Sequence, residues 1–384
     1  MRNSILLFTI LLIACESKVD ETFEGSTQTT SESSFQTIVI DVNADQKPEI
    51  KEIFKKANII PLETINESLI VEIDKLIESE NEFFIFDKSQ ASILVFDEGG
   101  KFLYRINKQG SGPGEYGDVV DILLNPFTEN LELLSPQGEI NVYTKKGEYV
   151  ETLKISEILS VHQMEIVSEN LIALYSYDTR PKANFVILSR DTGKLIHKSK
   201  SKTSIFERNF MQIINTPLIR AANETLFCTP FTNEIYSISA DGLKPKRIWD
   251  FGSYTPDFSY LNESSPREVL QETFETEVGK SSVSFFSYYE IKKYILASLF
   301  FERKTKTMLY QKENDEYFFL DDSTFNKYLY KLQLTKSGII GLCRPENLTN
   351  YWNNSEFIKE HNPDVISTEK EDNPIIIKFE FADF

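Results

Sequence analysis

The sequence predicts an all-β fold, a six-bladed β-propeller sealed by strands from both ends of the chain. Three observations predict it. Strand-rich units repeat through the middle of the chain, a tight glycine turn recurs at the same place in each unit, and two apolar segments near the termini have no hairpin of their own.

The repeat is clearest in NEFFIFDKSQASILVFDEGGKFLYRI (81–106) and ENLELLSPQGEINVYTKKGEYVETLKI (129–155). Each runs as an apolar strand, a polar turn, a second strand ending in an aromatic (Phe96, Tyr143), a glycine turn and a third strand. Looser copies follow at 169–200, turning at Asp191-Thr192-Gly193, and at 224–252, turning at Asp241-Gly242. Asp-Gly and Gly-Gly supply the positive φ that short hairpins require. A period of roughly 40–50 residues with several strands per unit is the signature of propeller blades. One meander cannot bury both of its faces, so such units stack around an axis and close on one another, which also removes exposed edges.

Residues 280–322 supply a fifth, aromatic-rich unit, and 328–347 two strands of a sixth. The isolated segments ANIIPLET (57–64) and NPIIIKFEF (373–381) complete that sixth blade together. A ring sealed in this way fails cooperatively if either end is removed. Within the insert at 253–280, SPREVLQETFETEV predicts a short helix with Ser265 as N-cap and Pro266 at the first helical position. FIKEHNP (357–363) predicts a helical turn.

Between the first two blades stands KQGSGPGEYG (108–117). Gly112, Gly114 and Gly117 formally match G-x-G-x-x-G. A dinucleotide loop needs a helix directly after the glycines, so that aligned N–H groups hold the pyrophosphate. The residues that follow, DVVDILLNP, instead form a short β-rich run stopped at Asn125-Pro126, and no P-loop lysine is present. Gly110, Gly112, Gly114 and Gly117 are therefore read as structural junction glycines, placed where the chain crosses between blades with positive φ, and no nucleotide is expected.

The N-terminus MRNSILLFTILLIAC carries Arg2, then an apolar run too short to span a bilayer but proportioned as a secretory h-region. Leu12-Ile13-Ala14-Cys15 resembles a bacterial lipobox, so 1–14 reads as a lipoprotein signal peptide and Cys15 as the lipid attachment site. Several acyl chains give stable attachment. Residues 15–50 are read as the lipidated cysteine and a flexible Ser/Thr/Glu-rich tether, which buries too little apolar surface to offset its ordering entropy. Residues 51–384 are read as the propeller domain. Glu16, Asp20 and Glu21 resemble surface-export signals of Bacteroidetes lipoproteins, with an ordinary solvated linker as the alternative.

The 384 residues, 41% apolar and 12% aromatic, suffice for a large β core. With 41 basic and 59 acidic side chains the formal charge is −18, which argues against a nucleic-acid partner. Cys228 and Cys343 lie in strand-like stretches and read as two buried free thiols, a disulfide being the alternative in an oxidising periplasm.

GSGPGEYGDVVDILLNP, preceded by FFIFDKSQASILVFDEGGKFLYRI, is similar to the Gly-x-Gly-Pro-Gly-Glu-Tyr blade junction of the six-bladed β-propeller lipoproteins of Bacteroidetes, relatives of NHL-repeat propellers. The likeness runs from Ala57 to Phe381 and is most specific at Gly110–Tyr116. It implies a six-bladed disc with a lipid anchor, and it brings no reaction.

Metal-dependent NHL-like enzymes gather His or acidic ligands at one channel mouth. His162, His197 and His361 stand far apart in the chain and read as surface or edge residues, so no metal site is assigned. No cofactor is called for, although an Asp/Glu calcium site or a glycosidase pair stays open among the many carboxylates. No G-x-S-x-G elbow occurs, and no catalytic residue is assigned. Propeller ligands usually sit over the channel, and by that analogy Glu115, Tyr116, Arg180, Arg220 and Arg344 are the binding candidates, with blade-to-blade salt bridges or packing as their alternative role. The expected function is a binding module anchored in the outer membrane, on its periplasmic or surface face, with an envelope protein complex or a glycan as partner. The alternative is a propeller lyase or hydrolase with a carboxylate site.

Overall fold

The structure, a computed structural model, describes residues 35–45, 47–155, 160–176, 183–200, 217–228, 231–262, 264–320, 325–362 and 367–382. Six sheets form a ring. Blade 1 spans residues 75–106, blade 2 121–154, blade 3 163–199, blade 4 218–250 and blade 5 284–319, each a meander of four antiparallel strands. Blade 6 takes Leu329–Leu334, Gly338–Cys343 and Ile375–Phe381 from the C-terminal part, and its outer strand, Phe54–Pro61, from the N-terminal part.

That last pairing is the predicted seal, antiparallel with Ala57 opposite Phe379 and Ile59 opposite Ile377. Asn373 adds a second tie between the chain ends. Its amide donates to the carbonyls of Glu63 and Ser68, both at 2.8 Å, and its Oδ1 accepts from the Ile70 N–H at 2.9 Å.

The four repeats recognised between residues 81 and 252 are the outer three strands of blades 1 to 4, each preceded by an inner strand, whereas the fifth and sixth units already contain their inner strands, Ser284–Glu290 and Leu329–Leu334. The runs are continuously apolar because both faces of a blade are buried. In Glu82–Asp87, Phe84 and Phe86 enter the layer shared with blade 2, whereas Phe83 and Ile85 enter the layer shared with blade 6. One apolar layer fills each of the six blade boundaries. Cys228 and Cys343 are buried free thiols in two different layers, and burial pushes both up to about 12.

Two expectations are corrected. The tether expected to run to residue 50 gives way to ordered structure much earlier, because Gln36–Val39 lies parallel to 247–250 as a fifth strand on the rim of blade 4. Alternation decides this: Ile38, Ile40 and Val42 bury between blades 4 and 5, and Lys306 Nζ holds the Val42 carbonyl at 2.7 Å. The insert helix is Arg267–Thr276, with Pro266 rather than Ser265 at the N-cap. Ser265 instead closes the preceding turn, its Oγ accepting from the Asn262 N–H. The helix packs Leu270 into a satellite cluster with Phe231, Leu261 and Val278. The second predicted turn is the helix Glu356–His361.

Candidate functional site: the central channel

The six inner strands, Lys75–Ser79, Asp121–Leu124, Gln163–Ser168, Leu218–Arg220, Ser284–Glu290 and Leu329–Leu334, surround a cavity of about 750 Å³ on the ring axis. Hydrogen bonds fix their relative depth. Lys75 meets Asp121 at 2.7 Å, and the other Asp121 oxygen accepts from the Met164 N–H at 2.9 Å. The Gln163 amide donates to the Leu218 carbonyl and accepts from the Leu218 N–H. Arg220 donates to the Ile166 carbonyl at 2.7 Å, and Lys331 donates to the Asp74 carbonyl at 3.0 Å. The charged side chains of blades 1, 2, 3, 4 and 6 thus share one belt, and blade 5 completes it with Ser287 and Tyr289.

Glu165 lines the cavity and is only partly exposed. Burial raises its carboxyl to about 7 and nearby Asp121 adds to the rise, against the pull of Lys75 and Arg220 and the Ile166 N–H. For Lys331, burial lowers the ammonium pKa against the pull of Asp74 and Glu72.

Lys331 also has a backbone signature. Its φ is +50°, in the left-handed region, where the inner strand of blade 6 slips register between Tyr330 and Gln333. Such a bulge re-aims a side chain, and a non-glycine residue held there stores strain. Gly341 makes room for it, since a Cβ there would stand 2.9 Å from both Leu329 and Leu332.

Of the predicted binding residues that the structure describes, only Arg220 lines the channel. Arg180 lies outside the described residues. Arg344 is exposed and does not line the cavity, although its guanidinium stands 5.9 Å from the centre of the ring of Tyr330, which does. Glu115 and Tyr116 belong to the junction loop. There the Glu115 carboxylate turns back to accept from the Gly112 N–H at 2.7 Å, and buried Tyr116 donates to the Ala91 carbonyl at 2.7 Å. Tyr143 donates to the Gly114 carbonyl at 3.1 Å, tying the loop to blade 2.

The glycines serve this fold-back rather than a phosphate, and only Gly114 among them needs positive φ (+74°). A Cβ on Gly110 would come within 2.0 Å of the Glu115 carboxylate, so close approach is the reason for that glycine. Around Gly117 there is open space. His162, read as a surface or edge residue, lines the channel. Among the described residues, no three His, Cys, Asp or Glu side chains gather as a metal site.

Sequence reasoning missed Lys75, Asp121, Glu165, Tyr289, Tyr330 and Lys331. A signal existed. In the inner strands of five blades, an apolar run carries charge: IDKLIE, VVDILL, QMEIV, PLIRAA and YLYKLQL. In a strand buried on both faces, such a charge belongs where the strand borders water, and for an inner strand that water is the channel.

Fold and channel together define a closed six-bladed β-propeller with a polar axial cavity. The chain belongs to the family described as Domain of unknown function (DUF4934), whose model matches residues 35–380. It is similar in structure to a Bacteroides fragilis protein described as exported, with 16% identity over 91% of this chain and 100% of that one and a TM-score of 0.72. It is also similar to a member of the DUF4221 family from Bacteroides vulgatus, with 11% identity over 86% of this chain and 98% of that one and a TM-score of 0.52. At these identities the likeness is one of fold. No curated protein sequence matches the chain.

Proposed function

We propose that this protein is a lipid-anchored binding module of the bacterial cell envelope, tethered through Cys15 to the outer membrane and presenting a disc face to a protein or glycan partner. The observation that carries the proposal is the entry point of the chain. Gln36–Val39 sits on the outer rim of blade 4, so the described chain enters the ring at its edge and away from the axial channel. The exported description of the Bacteroides fragilis neighbour agrees with an envelope location. The test is affinity purification of the tagged protein from detergent-solubilised outer membrane, with Cys15→Ala as the unanchored control. A stoichiometric partner that is lost with the anchor supports the module. A protein that fractionates as soluble with Cys15 intact refutes the anchor.

One observation favours a second reading, a propeller lyase or hydrolase. Glu165 and Asp121 share the channel, and a carboxyl raised to about 7 suits a general acid at neutral pH. A calcium-dependent version predicts that EDTA lowers the melting temperature and that added calcium restores it. Turnover of a carbohydrate or lactone that Glu165→Gln abolishes would decide for the enzyme.

A further inference from the structure

Blade 5 breaks a pattern that blades 1 to 3 keep. In those blades, each inner-strand residue of the polar belt is followed outward, on the paired strands, by two apolar residues. Lys75 leads to Phe86 and Ile93, Asp121 to Leu134 and Ile140, and Gln163 to Tyr175 and Phe185. In blade 5 the row runs Ser287, Ser298, Thr307, with Ser298 on the second strand, Tyr294–Phe301, and Thr307 on the third, Lys304–Gln311. Alternation turns this row toward blade 6, because Leu296 and Leu309, two residues away on the same strands, pack in the layer between blades 5 and 6.

The cavity follows the hydroxyls. Among the described residues, its lining reaches the third strand of a blade only in blade 5, at Thr305, beyond Ser298 on the second. Ser298 is only 7% exposed, and neither its hydroxyl nor that of Ser287 has a hydrogen-bond partner among the described residues. A buried hydroxyl costs free energy unless it is bonded, and here the bonding side opens on the cavity. From blade 6, Leu329 and Leu332 enter the same layer and line the same cavity. The slot thus has a hydroxyl wall and an aliphatic wall. Neither wall brings a charge into it, because Arg220 bonds back to blade 3 and Lys331 to the Asp74 carbonyl, both away from blade 5.

We propose that this slot, where the channel opens between blades 5 and 6, binds a neutral hexose unit, its hydroxyl edge bonded to Ser287 and Ser298 and its C–H face laid on Leu329 and Leu332. A pyranose ring has those two sides, polar around its rim and apolar across its axial C–H groups. A charged ligand would instead set its charge against hydroxyls and methyl groups, at a desolvation cost. The cavity of about 750 Å³ has the size of a small-molecule site. The inference rests neither on the lipid anchor nor on the disc-face partner, and it requires no turnover, so its failure would leave both readings above standing.

Calorimetric titration of the full-length protein, in a detergent without a sugar headgroup, with D-glucose, D-galactose and D-mannose tests this. At least one is expected to bind with a Kd of about 10 mM or tighter, and the charged counterparts D-glucuronate and D-glucosamine more weakly. The methyl glycoside of the best hexose separates the sources: equal binding means the end of a glycan, weaker binding a free sugar, and either supports the slot. Ser298→Leu installs the residue that blade 2 carries in this row, Leu134, and is expected to abolish binding at an unchanged or higher melting temperature. Ser298→Ala removes one oxygen and is expected to cost a few-fold in affinity with no loss of stability. The proposal is overturned if no hexose reaches half-saturation by about 10 mM, if a charged counterpart binds more tightly than every neutral hexose, or if either Ser298 variant, folded by thermal melt, binds the hexose unchanged.

Discussion

Arg190 closes on Glu132 with two hydrogen bonds, 2.8 and 2.6 Å long, across the boundary between blades 2 and 3. The Glu132 side chain is fully buried, and Asn125 donates to it at 2.7 Å. Removing the cation alone leaves a buried carboxylate facing only an amide. Arg190→Ala is expected to destabilise the protein by about 3–5 kcal/mol. Arg190→Met with Glu132→Gln removes both charges, keeps the bond to Asn125, and is expected to recover most of that loss. Urea unfolding of the two variants provides the measurement, and equal losses in both would mean that packing rather than charge holds this boundary.

The seal makes a second prediction. Phe379 is fully buried beside Phe54, Phe325 and Trp352, so it ties the N-terminal strand to two other parts of blade 6. Phe379→Ala is expected to cost about 3–5 kcal/mol. Because the strand it supports closes the ring, unfolding should remain a single transition at lower urea. A separate early transition confined to blade 6 would show that the ring tolerates an open seam.

At the blade 1–2 junction, two glycines are expected to respond differently to the same change. Gly110→Ala pushes against the Glu115 carboxylate and breaks its bond to the Gly112 N–H, costing about 1 kcal/mol. In a Glu115→Ala background that cost should vanish. Gly114→Ala meets both a positive φ and the Tyr149 ring 2.9 Å away, so its cost of about 1–3 kcal/mol should persist whatever stands at 115. Thermal melts of the double-mutant set compare the two.

The outer strands and the seal were legible in the sequence because their information is local. Asp241-Gly242 and Gly147 mark turns wherever they occur, and NPIIIKFEF without a hairpin must pair with something distant. The N-terminal strand was not legible. Gln36–Val39 is four residues long, follows a polar stretch, and takes its place from a parallel pairing with Arg247–Asp250 more than half the chain away. The channel was legible only in part, for a similar reason. An isolated charge in an apolar run says that it borders water, but whether that water is rim or lumen depends on which strand is innermost. Arg220 was singled out and Lys331 was not, although both runs carry the same signal.

Glu290 predicts an acid-side loss of stability. Burial alone would raise its carboxyl, but Arg247, Lys312 and Lys246 outweigh this and hold it at about 2, below the ordinary 4.5. A folded-state pKa below the unfolded one gives stability that is full above about 4.5 and is lost as pH falls toward 2. The contribution is on the order of 3 kcal/mol. Glu290→Gln should therefore be less stable than the parent at pH 7, and the gap should narrow as the pH is lowered through this window. A gap that stays constant from pH 7 to pH 3 would remove Glu290 as the source.

Glu165 predicts the opposite sign. Its folded-state carboxyl, at about 7, lies above the ordinary 4.5, so between those values the folded protein binds a proton that the unfolded chain has released. Stability therefore falls as pH rises from about 4.5 to 7 and is level beyond it. Glu165→Gln keeps the shape and never ionises, so it should match the parent near pH 4 and exceed it at pH 8. The gain should be up to about 3 kcal/mol and smaller where lumen water screens the charge. Chemical denaturation at the two pH values measures this. A variant that is no more stable than its parent at pH 8 would mean that Lys75 and Arg220 compensate the carboxylate fully, and that the channel holds Glu165 as an ordinary ion.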